Sequence, residues 1–379
     1  MSRLNDIKAS ATVQIIARAA DLTRAGFDIV DLSFGETRFH APDNVKDAAI
    51  EALEEGYTHY TQSAGLLELR QAIAEKLSTE NCIDVNPEND ILVTTAKYAL
   101  FLGIMAVTNP GDEVIIPDPG YPSYEAAVRL AGCLPVQVPL SEDNDFHLDI
   151  EELYGKISPK TKIVIINSPH NPTGAVLTKS ELEAIADILR KRKLYAISDE
   201  VYEKYVYDGR KHYSIASIPE MKQWTITVNS FSKSYAMTGW RVGYAVANKD
   251  LIRRMNMIQG HTLTCVCAFA QKSAIEAFKT KVEFANYCDI NRKLLAEGLN
   301  KIPGIECKMP EGTFYAFPNI STLNKTSAQA AEYILEKTRV ITTPGSAFGV
   351  HGEGHLRLSY AVKKDVIVKA LEKLQAINN

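Results

Sequence analysis

Short runs of apolar, β-branched residues alternate along most of the chain with longer stretches whose apolar positions recur every three to four residues. The first kind reads as buried strand and the second as amphipathic helix. Strands are expected at Ile91–Thr95, Glu113–Ile116, Lys162–Asn167, Leu194–Ser198, Thr225–Asn229 and Arg241–Ala247. Helices are expected between them, at Leu66–Ser78, Tyr98–Thr108, Ser123–Leu130 and Lys179–Arg192. Apolar strands separated by helices imply βαβ units with strands covered on both faces, hence a largely parallel sheet. Turn signals fall between the elements, at Asn109-Pro-Gly111, Asp118-Pro-Gly120 and Asn171-Pro-Thr-Gly174.

Past about residue 280 the rhythm changes. Long helical patterns (Glu283–Asn300, Ser327–Thr338, Lys364–Ala376) flank short strand candidates at Thr313–Phe317, Arg339–Thr343 and His355–Tyr360. The expected organisation is therefore α/β: a large domain, 42–279, with a mostly parallel central sheet flanked by helices, and a smaller α+β domain made of 1–41 and 280–379. No repeat, low-complexity tract or flexible linker separates the two, so they should pack tightly.

Composition narrows the function. The 379 residues are 46% hydrophobic and 23% charged, an ordinary globular balance. Lys+Arg is 42 against Asp+Glu 46, a net charge of -4, so the basic excess of a nucleic-acid binder is missing. The N-terminal segment carries no signal-peptide core, and the longest apolar stretch, Tyr98–Val107, is about half of a bilayer span. A cytoplasmic protein is expected, with no membrane partner. Six cysteines are scattered without a CxxC pair and read as reduced thiols. His351 and His355 have the spacing of a zinc pair, but the glycines of His351-Gly-Glu-Gly-His355 weaken the helix that would align them, and the glutamate is misplaced. No metal site is expected.

In an open parallel sheet, chemistry gathers beyond the C-terminal strand ends. There the sequence places Thr95-Ala-Lys97, Asp118-Pro-Gly-Tyr121, Asn167-Ser-Pro-His-Asn171, Asp199-Glu-Val-Tyr202 and Ser230-Phe-Ser-Lys233. None carries a dinucleotide GxGxxG or a phosphate-binding GxxxxGK[ST], which argues against an NAD enzyme or a P-loop NTPase. Lys233 follows a buried strand, is bracketed by hydroxyls and precedes Arg241 by eight residues. Burial and a nearby cation would lower its pKa and free the amine for Schiff-base chemistry. Ser230 and Arg241 suit a phosphate, one as a hydroxyl donor and the other as a two-pronged cation.

The ordered segment Ser230-Phe-Ser-Lys-Ser-Tyr-Ala-Met-Thr-Gly-Trp-Arg-Val-Gly-Tyr244 resembles the pyridoxal-phosphate lysine motif of class I aminotransferases, the aspartate and aromatic aminotransferase group. The resemblance extends from Leu32-Ser-Phe-Gly-Glu36 to Arg357-Leu-Ser-Tyr-Ala361. It implies the aspartate-aminotransferase-like fold, pyridoxal 5'-phosphate as cofactor, and ping-pong transfer of an amino group from an amino acid to a 2-oxo acid. It implies Lys233 as covalent anchor and general acid/base, and Asp199 as partner of the pyridine nitrogen. Asn171 and Tyr202 match the pair that bonds the cofactor's phenolate oxygen, and Tyr121 the aromatic ring stacked on the pyridine. Ser230, Ser232, Arg241 and the helix opening at Thr95, Ala96 and Lys97 would hold the phosphate; many relatives carry glycine where Ala96 stands. Arg357 matches the clamp on the substrate α-carboxylate, with Gly35 and Asn171 beside it. Tyr60 matches a tyrosine that crosses to the neighbouring subunit's phosphate, which implies a homodimer with shared sites.

Two other readings compete. One is a C–S lyase or aminocyclopropane-carboxylate-synthase-like enzyme on the same fold. The other is the aminotransferase-like effector domain of a transcription regulator, which would carry a DNA-binding module ahead of Leu32–Glu36, where little room is left. Aspartate or an aromatic amino acid with 2-oxoglutarate is the expected substrate pair. Arg38 stands either near a distal carboxylate or as a solvated loop charge.

Overall fold

The computed structural model describes Arg18 and residues 20–281 and 283–378. The strands among these residues, in chain order, are β1 (Val30–Asp31), β2 (Ile91–Thr94), β3 (Glu113–Asp118), β4 (Leu134–Pro139), β5 (Thr161–Asn167) and β6 (Tyr195–Asp199). There follow β7 (Thr225–Ser230), β8 (Gly243–Val246), β9 (Tyr315–Ala316), β10 (Val340–Ile341), β11 (Thr343–Pro344) and β12 (Leu356–Ser359). Seven form one sheet in the order β2-β8-β7-β6-β5-β3-β4. It is mostly parallel; β8 alone runs against its neighbours β2 and β7.

The apolar runs explain this sheet. Ile163–Ile166 of β5 and Ala196–Ile197 of β6 are buried. On one face Ile163, Ile165 and Ile197 meet Leu100 and Ile104 of the helix Ala96–Val107. On the other, Val164, Ile166 and Ala196 meet Leu182, Ile185 and Leu189 of the helix Lys179–Arg192. Each of the fully buried Ile, Val and Leu side chains contributes about 1.5–3 kcal/mol. The second helix is well delimited. Thr178 and Glu181 form a capping box, and Arg190, Lys191 and Arg192 complement the negative C-terminal dipole.

The helices Ser123–Leu130, Lys179–Arg192 and Ser327–Thr338 have the expected bounds. Several elements differ from expectation. β4 was not anticipated: Leu134-Pro-Val-Gln-Val-Pro139 carries two prolines and is half-exposed, which suits its place at the sheet edge. The helices Asp43–Glu54, Lys249–Thr262 and Ala268–Phe278 were also unassigned, although Ala268–Phe278 packs with Leu67–Asn81 over β2 and β8. Arg241 lies not in a strand but in the left-handed turn (φ 59) that precedes β8.

The remaining strands are short. β11, β12 and β9 form an antiparallel sheet, and β1 pairs with β10 in parallel. Leu295 and Leu299 of the helix Phe284–Leu299 share one core with Phe314, Tyr360 and Ile367, and Val30 and Leu32 join it from the other end of the chain. This second layer faces the rim where β2, β3, β5, β6 and β7 end. Because β8 is antiparallel, its start and the preceding Arg241 stand at that same rim.

Candidate active site

A cavity of about 410 Å³ opens between the rim and the second layer. Lys233 reaches it from the helical turn Phe231–Ser234, which Ser230 caps through its hydroxyl. The Lys233 ammonium donates to the Gly35 carbonyl, and the Tyr205 hydroxyl bonds the Lys233 carbonyl at 2.8 Å. Burial, opposed by Glu36 and helped by Arg357 and Arg241, lowers the Lys233 pKa to about 8.

Asp199 ends β6 at the buried floor. Its Oδ2 accepts from Tyr124 Oη at 2.7 Å and its Oδ1 from the Val201 amide at 3.4 Å. Burial raises its pKa to about 6 even though Tyr124 and Val201 pull the other way. Among the described residues no cation lies within ion-pair distance of it. Asn167 Nδ2 bonds the Asp199 carbonyl at 2.9 Å and its Oδ1 takes the Asn171 amide at 2.9 Å, so two strand ends are tied together.

The opposite wall holds a buried cation. Arg357 Nη1 donates to Asn171 Oδ1 at 3.0 Å and Nη2 to the Ser33 carbonyl at 2.9 Å, while its buried Nε has no hydrogen-bond partner among the described residues. The guanidinium lies 4.3 Å from the Tyr315 ring centre and 4.7 Å from that of Phe348. The Tyr202 and Tyr315 hydroxyls are 2.9 Å apart. Burial raises both pKa values, so both phenols stay protonated; one donates to the other and one proton is left for a ligand.

At the other end the helix Ala96–Val107 begins, capped by Thr95 through the Tyr98 amide at 3.2 Å. Gly243 makes this close packing possible: a Cβ there would stand 2.7 Å from the Asn229 carbonyl and 3.2 Å from the Ala96 nitrogen. Ser230 and Ser232 hydroxyls lie 2.9 Å apart, and Arg241 Nη1 donates to the Thr238 carbonyl at 2.7 Å. A helix N-terminus, two hydroxyls and an arginine form an anion-binding corner. Lys97 also lines the wall, its ammonium 5.8 Å from the Tyr121 ring centre.

The structure thus gathers Lys233, Asp199, Tyr202, Asn171, Tyr121 and Arg357 around one space, with Ser230, Ser232, Arg241, Ala96 and Lys97 at one end and Gly35 at the mouth. Thr95 sits just behind the wall as a cap. Tyr60 is not on this wall and is 85% exposed. Arg38 is exposed, with its guanidinium 3.4 Å from the Phe34 ring centre, and is not on the wall either. His351 and His355 serve different contacts, with Asp118 and with Glu142. Sequence reasoning missed Tyr315 and Phe348, which carry no local signal. It also passed over Tyr124, Asn167 and Glu36, although all three stand within or beside the segments singled out; Glu36 accepts from Thr238 at 2.5 Å.

Residues 28–374 match the family described as aminotransferase class I and II. The chain belongs to that family. This aminotransferase is 43% identical over 369 residues to an aspartate aminotransferase of Pyrococcus abyssi, covering 96% of this chain and 95% of the relative. It is 40% identical over 369 residues to an aromatic-amino-acid aminotransferase 2 of Thermococcus litoralis, with coverage of 96% and 95%. A solved structure of the aspartate aminotransferase from Thermus thermophilus with maleate superposes with a TM-score of 0.94 at 39% identity, over 100% of this chain and 99% of that one. Among the described residues of this aminotransferase, no helix is long and apolar enough to cross a membrane.

Proposed function

We propose that this aminotransferase works with pyridoxal 5'-phosphate held on Lys233 and moves amino groups between an acidic or aromatic amino acid and a 2-oxo acid. The observation that carries the reading is the convergence, among the described residues, of a buried amine whose pKa burial lowers to about 8, a buried carboxylate with no cation within ion-pair distance, and a buried arginine whose Nε has no hydrogen-bond partner. The donor set fits the cofactor: the corner at Ala96, Ser230, Ser232 and Arg241 suits a phosphate, Asp199 suits a protonated ring nitrogen, and Asn171 with Tyr202 suits an oxygen anion. When bound, pyridoxal phosphate supplies an electron sink for negative charge at the substrate α-carbon.

The chain's own residues do the rest. Arg357 binds the substrate carboxylate with a planar fork that Asn171 and Ser33 already orient. Lys233 would take the proton from the substrate α-carbon and give it up on the cofactor side of the same face, and do the reverse with the 2-oxo acid; with its pKa near 8, roughly one amine in ten is free at pH 7, against far fewer for an ordinary lysine. Tyr121 and Phe348 wall the reacting atoms from bulk water. Lys97 is a wall cation without a carboxylate partner among the described residues, which supports a substrate with a second carboxylate. The names of the two archaeal relatives support aspartate and aromatic amino acids as donors. A screen of amino donors with 2-oxoglutarate, reading the oxo acid formed, tests this; no turnover with either class would sink it.

The same reading assigns 42–279 as the cofactor-binding domain and 1–41 with 280–379 as the small one, supported by the core that Val30 and Leu32 share with residues 288–377, against which Val201, Tyr202, Tyr205 and Tyr207 of the larger domain pack. It also makes the enzyme a homodimer in which Tyr60 serves the partner's site. The exposure of Tyr60, away from its own cavity, supports this. Mixing Tyr60→Ala and Lys233→Ala chains should then restore activity.

A further inference from the structure

Asp118 closes β3, three residues before Tyr121, and its side chain is only 2% exposed. Its partners all come from one segment of the second layer. Oδ2 accepts from the Val350 amide at 3.2 Å and from His351 Nδ1 at 3.1 Å, and Oδ1 from the His351 amide at 3.1 Å. Two residues on, the Gly120 amide bonds the Phe348 carbonyl at 2.7 Å. Gly349 lies between these contacts with φ +130, and a Cβ there would stand 1.9 Å from Asp118 Oδ1. The Phe348 carbonyl and the two residues beyond Gly349 are therefore pinned to the end of β3, and only a glycine lets this backbone come so close to the Asp118 carboxylate.

No lysine or arginine pairs with Asp118 among the described residues; its buried carboxylate is met instead by the donors of Val350 and His351. What they fix is the place of Phe348. That ring lies 4.7 Å from the Arg357 guanidinium and forms cavity wall. The inference rests on the reading of Arg357 as the substrate-carboxylate site. We propose that Asp118 is a positioning residue for that site: by anchoring Gly349–His351 it holds Phe348 against Arg357, and so sets how well a substrate carboxylate is received.

The test is a steady-state cycle with 2-oxoglutarate and the best amino donor, using Asp118→Ala, Phe348→Ala, the double variant, and Arg357→Lys. Asp118→Ala should raise KM about tenfold for both substrates while kcat stays within about threefold, because what is lost is ground-state alignment. The double variant should be no worse than Phe348→Ala alone, since Asp118 acts through that ring. A lower Tm with unchanged KM would show a merely structural role, and KM effects that multiply would show that Asp118 does not act through Phe348; either result overturns the proposal. Arg357→Lys separates the two layers of the argument. If it leaves KM unchanged, the carboxylate reading itself fails; if it raises KM and Asp118→Ala does not, only the anchoring fails. Should Asp118→Ala not fold, His351→Ala takes its place in the cycle. That half-exposed side chain supplies one of the contacts, and its loss should raise KM about two- to threefold unless Phe348 is already absent; no change overturns the anchoring.

Discussion

Asp199 and Glu200 are adjacent at the end of β6, both buried, and their surroundings are opposite. Glu200 is met on every side: by the Ser198 hydroxyl at 2.8 Å, the Ser214 hydroxyl at 2.6 Å and His212 Nε2 at 3.1 Å. Close by, Glu203 receives the Lys76 ammonium, and Asn81 bonds both Glu203, at 2.9 Å, and Lys76, at 2.7 Å. Burial would raise the Glu203 pKa, but Lys76, then His212 and the Asn81 bond, bring it down to about 2. Asp199 instead faces the cavity with two donors and no cation, and burial pushes it up to about 6. Lys233, across from it, is pushed down to about 8. Around Glu203 a cation and an amide hold the carboxylate in its charged form. At the cavity Asp199 and Lys233 are left poised for something that arrives. A desolvated group with no neutralising partner is the mark of a site, whereas a desolvated pair marks structure.

That contrast can be broken by substitution. Asp199→Ala should lower transamination by about 10³-fold or more without lowering Tm, because the native state gains little from a carboxylate it desolvates. Loss of stability with retained activity would reverse the assignment. Lys76→Met should do the opposite. It leaves Glu203 buried and unpaired, at a cost of about 3–5 kcal/mol in urea unfolding, while kcat of the folded enzyme changes little.

A smaller effect sharpens the same point with pH. His147 sits between Glu181, 2.7 Å away, and Glu311, 3.2 Å away, and these bonds raise its pKa from 6.5 to about 9. Its contribution to stability is thus complete below about 6.5 and disappears as pH rises through 9. Glu181, raised by burial but lowered further by His147 and Thr178 to about 2, works only above its usual 4.5. The stability gap between wild type and His147→Gln should therefore be widest between pH 4.5 and 6.5, on the order of 1–2 kcal/mol, and vanish above 9. A gap independent of pH would mean that His147 is never charged there.

Much of this was legible in the chain because it is local. The run of residues from Ser230 to Tyr244 sets a capped helical turn after a buried strand; Asp199 closes a strand, and the loop residues Tyr121 and Asn171 follow strand ends, that apolar patterning reveals. What was illegible is relational. An apolar strand reads the same in either direction, so nothing marked β8 as antiparallel or placed Arg241 in the turn before it. Tyr315 and Phe348 belong to the cavity only because the second layer folds over the rim. And the sequence pair Asp199-Glu200 cannot say which carboxylate faces the cavity; the partners waiting in Ser214 and His212, more than ten residues away, decide it.

On the proposed reading, Lys233 is the poised amine of this aminotransferase. The most direct measurement incubates the cofactor-free enzyme with pyridoxal phosphate across pH 6 to 10, fixes the product with borohydride, and maps it by peptide mass. Modification is expected on the peptide carrying Lys233, with a rate that climbs through pH 7 and levels off above about 8. Modification at Lys97 or at surface lysines instead, or a rate still climbing at pH 10 as for an ordinary ammonium, would contradict it.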